Sequence, residues 1–222
     1  MTVFQHLFRG YRRVYAWFWG VMTLVFIGLM LSFEMAGPWI ADDEHTSAWG
    51  LISLQAPGWF LFVVAIIWAT MALPVAVAHG VTRKAFCVGA AWFGLLSAVG
   101  FGLVMTAGHL LEYEIYQRNG ILTLLTAPYP VPTVRGTLWT IVSCAGFLIG
   151  GWLIGLAFYR LPVWAAILLI PLFAVPAGGG LLVPYGAQWP GGRELFAAIA
   201  IGAGTVAAYL LARTTPIRPR KA

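Results

Sequence analysis

A chain of 222 residues that is 61% apolar and 9% charged has too little polar surface for a soluble domain, in which about 25% of residues are charged. Its net charge of +6 does not mark a nucleic-acid surface, because the basic residues fall in separate stretches interleaved with acidic ones. The surplus apolar surface needs lipid, so the chain reads as an all-α integral membrane protein in a single domain over 1–222, with no nucleic acid among its partners.

Residues 1–13 open the chain. Phe4, Leu7, Phe8 and Tyr11 recur at i, i+3, i+4 and i+7, with Gln5, His6, Arg9, Arg12 and Arg13 mostly on other faces. Such a stretch predicts a short amphipathic helix in the interfacial plane, its arginines reaching anionic head groups. Alternatively, the arginines serve only as topology signals. A membrane domain follows over 14–212, then a basic tail over 213–222.

Six apolar runs are long enough to cross a hydrocarbon core of roughly 30 Å, for which about 20 residues suffice; they lie at 14–33, 58–78, 85–107, 138–158, 162–182 and 195–212. None carries a charge in its middle, where Asp, Lys or Arg costs about 2.5–3.5 kcal/mol. The first run exceeds a signal-peptide core and enters Glu34-Met35-Ala36-Gly37-Pro38 without a small-residue cleavage site, so it reads as a retained span.

Cys87 and Cys144 fall at depths too different for a disulfide and read as small packing residues. The histidines His6, His45, His79 and His109 form no metal-ligand spacing. His109 and Glu112 lie on one helical face, with Glu114 nearby; an acid at the membrane edge is a functional candidate, or simply a solvated helix end. The connection 108–137 is not uniformly polar. Its apolar stretch 121–125, followed by Pro128, Pro130 and Pro132, forms either a small helix at the outer leaflet or a plain loop.

In the fourth run, Gly146, Gly150, Gly151 and Gly155 make two overlapping GxxxG spacings that allow close helix approach. In the fifth, Pro171, Pro176, Gly178, Gly179 and Gly180 remove backbone donors and stiffness. They either break the helix, making a candidate gate covered by protein or water, or end it.

Ten of the 13 basic residues fall on one side if both termini are cytoplasmic; only Arg118, Arg135 and Arg193 fall on the other, together with all seven acids. The positive-inside rule therefore predicts cytoplasmic ends. Trp17, Trp19 and Trp164 fall near the inner boundary, and Trp39, Trp49, Trp59, Trp139 and Trp189 near the outer one. Trp68, Trp92 and Trp152 lie deeper, as packing or cavity-lining residues. No GxxxxGK[ST] motif is present, so the chain cannot form a Walker-type phosphate loop.

Between the second and third runs the chain reads Pro74-Val75-Ala76-Val77-Ala78-His79-Gly80-Val81-Thr82-Arg83-Lys84-Ala85-Phe86. A proline at the inner end of one span, followed by Gly-Val-Thr-Arg-Lys-x-Phe opening the next, resembles the permease subunits of ATP-binding-cassette (ABC) exporters of the small six-helix type. The elbow helix, six spans, cytoplasmic ends and broken fifth helix are similar to that family as well.

The resemblance implies a non-catalytic half-transporter in the plasma membrane that moves an amphipathic or hydrophobic compound, such as a drug-like molecule, peptide antibiotic or lipid. It pairs with a second permease, identical or related, and with two separate ATPase subunits that hold ATP and Mg. His79, Gly80, Val81, Thr82, Arg83, Lys84, Ala85 and Phe86 form the ATPase-docking surface. The first, second and fifth segments wall the pathway. The alternative is a polytopic membrane protein without transport activity, an immunity or sensory partner.

Overall fold

The computed structural model describes residues 3–36, 47–53, 56–123, 129, 131–173 and 192–214, and all regular structure among them is helical. In chain order the helices are α1 (Val3–Ala36), α2 (Ala48–Ser53), α3 (Ala56–Ile67), a π-helical turn (Trp68–Ala72), α4 (Leu73–Ala78), α5 (Arg83–Arg118), a 3-10 turn (Ile121–Thr123), α6 (Val134–Arg160), α7 (Val163–Phe173) and α8 (Gly192–Thr214). Five segments are long and apolar enough to cross a membrane: Val3–Ser32, Ala48–Ala78, Arg83–Arg118, Val134–Arg160 and Leu195–Thr214. The fifth expected span is described only as the 11-residue α7.

Local chemistry sets the boundaries. α4 ends in a Schellman motif: Gly80, at φ +85°, occupies the left-handed position, and the Val81 and Gly80 amides donate to the Ala76 and Val77 carbonyls. Thr82 then caps α5 by accepting from the Ala85 amide at 3.2 Å, and Thr133 caps α6 by accepting from the Gly136 amide at 3.0 Å. Pro162 limits Leu161 to extended backbone, which stops α6.

The helices alternate in direction. Arg83 Nη1 donates to the Arg213 carbonyl at 2.8 Å, and Arg160 Nη1 to Thr214 Oγ1 at 2.6 Å. The start of α5 therefore meets the ends of α6 and α8. The start of α1 joins them, since Val3 fills the space a side chain at Gly89 would need. This basic end gathers cations; the opposite end holds α2, the end of α5 and the start of α6.

α6 is the central helix, packed against α3, α5, α7 and α8. Its glycines explain this. A Cβ at Gly151 would collide with the Phe62 carbonyl, and one at Gly155 would sit 2.8 Å from the Ala69 Cβ. On the α3 side, Gly58 admits the Phe147 ring to within 2.8 Å of where its own Cβ would lie. The Gly151–Gly155 surface is thus occupied within the chain, by α3 and the π-helical turn.

A second layer joins α1 to α3 and α5 through aromatic rings. Phe18 stacks on Phe60 with centroids 4.2 Å apart, Phe60 on Phe101 at 5.7 Å, and Tyr15 meets Phe101 edge-on at 5.3 Å.

Two expectations differ in extent. The 1–13 stretch does not form an element of its own, because residues 3–36 make one unbroken helix. Its apolar stripe packs on the bundle: Leu7 is buried, Phe4 meets Phe93 at 6.1 Å and Tyr11 meets Trp68 at 5.8 Å. At about 1.5 Å per residue the 34-residue helix is about 51 Å long and outruns a core of roughly 30 Å. Residues 108–118, expected in a connection, continue α5; of 121–125, residues 121–123 form the 3-10 turn and the others lie outside the described residues.

Candidate functional site

Two places in the fold combine chemistry with shape, one at each end. At the basic end, the turn joining α4 to α5 is held from both sides. Phe86 anchors it, 2% exposed and 6.2 Å from the Trp152 ring, and the Gly80 and Thr82 caps fix its backbone. His79, Gly80, Thr82, Lys84 and Ala85 are exposed, Val81 and Arg83 half-buried, and His79 Nδ1 lies 2.8 Å from the Val75 carbonyl. The eight residues expected to dock an ATPase thus form a rigid, outward-facing basic turn.

Beside this turn, a half-open chamber of about 430 Å³ lies between α5, α6, α8 and the π-helical turn, lined by Trp68, Cys87, Leu95, Leu148, Trp152 and Tyr209 among others, with Leu95 exposed at its edge. Its size falls within the roughly 300–1,000 Å³ of small-molecule sites. The π-helical turn shapes one wall: the Leu73 amide reaches back to the Trp68 carbonyl, and the next residue, Pro74, has no amide to donate. Such turns recur at functional sites. The Nε1 atoms of Trp68 and Trp152 are buried behind the wall with no acceptor among the described residues. Cys87 and Cys144 are free thiols, and Cys144 is buried packing.

At the opposite end the site centres on Glu112, which is 0% exposed. Its carboxylate accepts from Ser47 Oγ at 2.5 Å, from the Trp49 amide at 3.0 Å and from the Tyr129 hydroxyl at 2.7 Å. His109 Nδ1 stands 3.4 Å from both Ser47 Oγ and the Tyr129 hydroxyl. Each of these three partners donates to a carboxylate oxygen. Burial and the neighbouring carboxylate hold the Tyr129 phenol well above its usual range, so it stays protonated and donating. The knot ties the segment around Ser47 and Trp49, and Tyr129 ahead of α6, to the last turns of α5. Glu114 takes no part; it pairs at 3.7 Å with Arg118, both exposed.

The shared face of His109 and Glu112 was legible from their spacing, whereas Ser47 and Tyr129 were not singled out. The only local signal was an aromatic set between Pro128 and Pro130. Pro171 lies within α7 and is exposed; the other gate residues, Pro176, Gly178, Gly179 and Gly180, lie outside the described residues. The chamber is walled by the second, third, fourth and sixth segments, so it is not the first–second–fifth pathway expected from resemblance. Of the deeper tryptophans, Trp68 and Trp152 line it, while Trp92 faces outward at 61% exposure. Trp49, expected in an aromatic belt, is buried, donating from Nε1 to the Met105 carbonyl at 2.9 Å.

No family model matches this chain, and no curated protein or solved structure matches it.

Proposed function

We propose that the chain is the transmembrane permease subunit of an ABC exporter. In this reading it lies in the plasma membrane with both termini cytoplasmic and moves an amphipathic or hydrophobic compound. Two separate ATPase subunits bind ATP and Mg and drive it, and a second permease completes the pathway. This chain itself is not catalytic.

One observation carries the reading. The anchored, exposed 79–86 turn meets Arg160 and Arg213 at one end of the bundle, while the described carboxylates belong to the opposite ends of their helices. A rigid basic turn is what a soluble partner needs in order to transmit motion into the helices, and basic residues favour the cytoplasmic side. The chamber next to it, lined mostly by apolar side chains, suits the hydrophobic part of such a compound.

The experiment replaces Arg83 and Lys84 together by Glu and measures how much ATPase copurifies. The reversal is expected to abolish ATPase recovery while the protein still inserts. Orientation is checked with a cysteine at exposed Gln117, in a background with Cys87 and Cys144 changed to alanine. It should react from outside intact cells with an impermeant thiol reagent. Parental ATPase recovery in a correctly inserted double variant would remove the docking role.

A second reading, an immunity or sensory partner without transport, draws on the Glu112 knot, which fastens one end of the bundle. A kinase or processing enzyme copurifying in place of an ATPase would favour it.

A further inference from the structure

The space among α5, α6 and α8 has two chemically different parts. The chamber is lined by apolar and aromatic side chains with no charged residue. Toward the basic end, Cys87 and Tyr209 border both the chamber and a second space of about 290 Å³, whose other walls are Arg83, Lys84 and Arg213. An apolar pocket therefore opens onto a cationic mouth.

Among the described residues, no carboxylate lines this mouth. Arg83 donates to a backbone carbonyl and Arg160 beside it to a hydroxyl, both neutral acceptors. The ion pair among the described residues that the structure resolves is Glu114–Arg118, at the other end of α5. Three basic residues lining one space, with no described carboxylate among them, favour an anion there. Along the chamber, water would find few partners, because the Thr205 hydroxyl already donates to the Ile201 carbonyl at 2.7 Å. Open on one side, the chamber offers a hydrocarbon chain dispersion contacts along its apolar walls.

We propose that this site holds one anionic lipid of the bilayer, its phosphate at Arg83, Lys84 and Arg213 and one acyl chain in the chamber. The depth fits a lipid better than a soluble anion. Leu95 lies 12 residues beyond Arg83, about 18 Å along α5 at about 1.5 Å per residue. Half of a hydrocarbon core of roughly 30 Å is about 15 Å, so head site and chain site are spaced as in one monolayer. Basic pockets between spanning helices bind anionic head groups by this logic. The inference takes from the preceding reading only that the helices cross a bilayer; it needs no ATPase and no transport.

The test is native mass spectrometry of the full chain purified in detergent, after incubation with phosphatidylglycerol or with phosphatidylcholine of the same acyl chains. One phosphatidylglycerol should survive collision energies that strip phosphatidylcholine. Lys84→Gln with Arg213→Gln should cut retention by about tenfold or more, two head-group contacts being lost. Filling the chamber with Ala145→Phe, or with Ala208→Phe if the first does not fold, should abolish it. Equal retention of the two lipids would overturn the proposal, as would unchanged phosphatidylglycerol retention in the charge variant or in a folded chamber-filled variant. Lipid retention without a copurifying ATPase would sink the permease reading alone; ATPase recovery without lipid selectivity would sink this one alone.

Discussion

Glu112 shows how one side chain can hold two connections in place. Ser47, the Trp49 amide and Tyr129 all donate to it, so Glu112→Gln, though nearly isosteric, turns one acceptor into a donor facing donors. An unmet buried polar group costs about 1–3 kcal/mol. The variant should therefore unfold at a clearly lower temperature in detergent, and the Tyr129→Phe variant should do the same to a lesser degree. Glu114→Gln is the control. Its partner Arg118 is exposed, and exposed pairs contribute little, so its melting temperature should stay at the parental value. Equal effects at the two glutamates would contradict the geometry. The spacing of His109 and Glu112 made this corner visible in the sequence. Its other half was hidden because Ser47 and Tyr129 come from connections, where no periodicity places a side chain.

The elements were legible wherever an apolar run determined them, and less so where tertiary packing extends a helix. Five of the six apolar runs coincide with helical segments long enough to cross a membrane, though they underestimate α1 and α5, whose ends continue beyond the hydrophobic stretch. Phe4, Leu7 and Tyr11 extend α1 because they pack on Phe93 and Trp68, a partner the sequence could not name. The GxxxG glycines were recognisable as a close-approach surface; the structure supplies α3 and the π-helical turn as the partners of Gly151 and Gly155. A Cβ at Gly151 would strike the Phe62 backbone carbonyl, whereas one at Gly28 meets nothing within 4 Å. Gly151→Ala should therefore destabilise the protein by about 1–3 kcal/mol through overpacking. Gly28→Ala should be neutral or stabilising, by up to about 1 kcal/mol, from helix propensity. Thermal unfolding of the two variants side by side checks this, and a tolerated Gly151→Ala would mean that the α3–α6 contact is looser than described. The π-helical turn escaped the sequence altogether. Pro74 marks a missing donor but not which carbonyl the neighbouring amides choose.

At the scale of the whole molecule, sidedness is the property most nearly written in the chain. The basic residues that flank the spans converge in space, bringing Arg83, Arg160 and Arg213 to one end beside the turn proposed to receive the ATPase. Because α6 uses Gly151 and Gly155 against α3 and the π-helical turn, the second permease of the proposed pair would meet this one through another surface. The chamber, by contrast, lies inside one chain, among segments the resemblance did not nominate, because a cavity depends on side chains from four helices meeting at one depth. The account's central claim, a half-transporter that works as a pair, is tested most directly by the stoichiometry of the complex. Light scattering of detergent-purified complex should give two permeases for two ATPases. A stable, ATP-hydrolysing complex containing a single permease would contradict it.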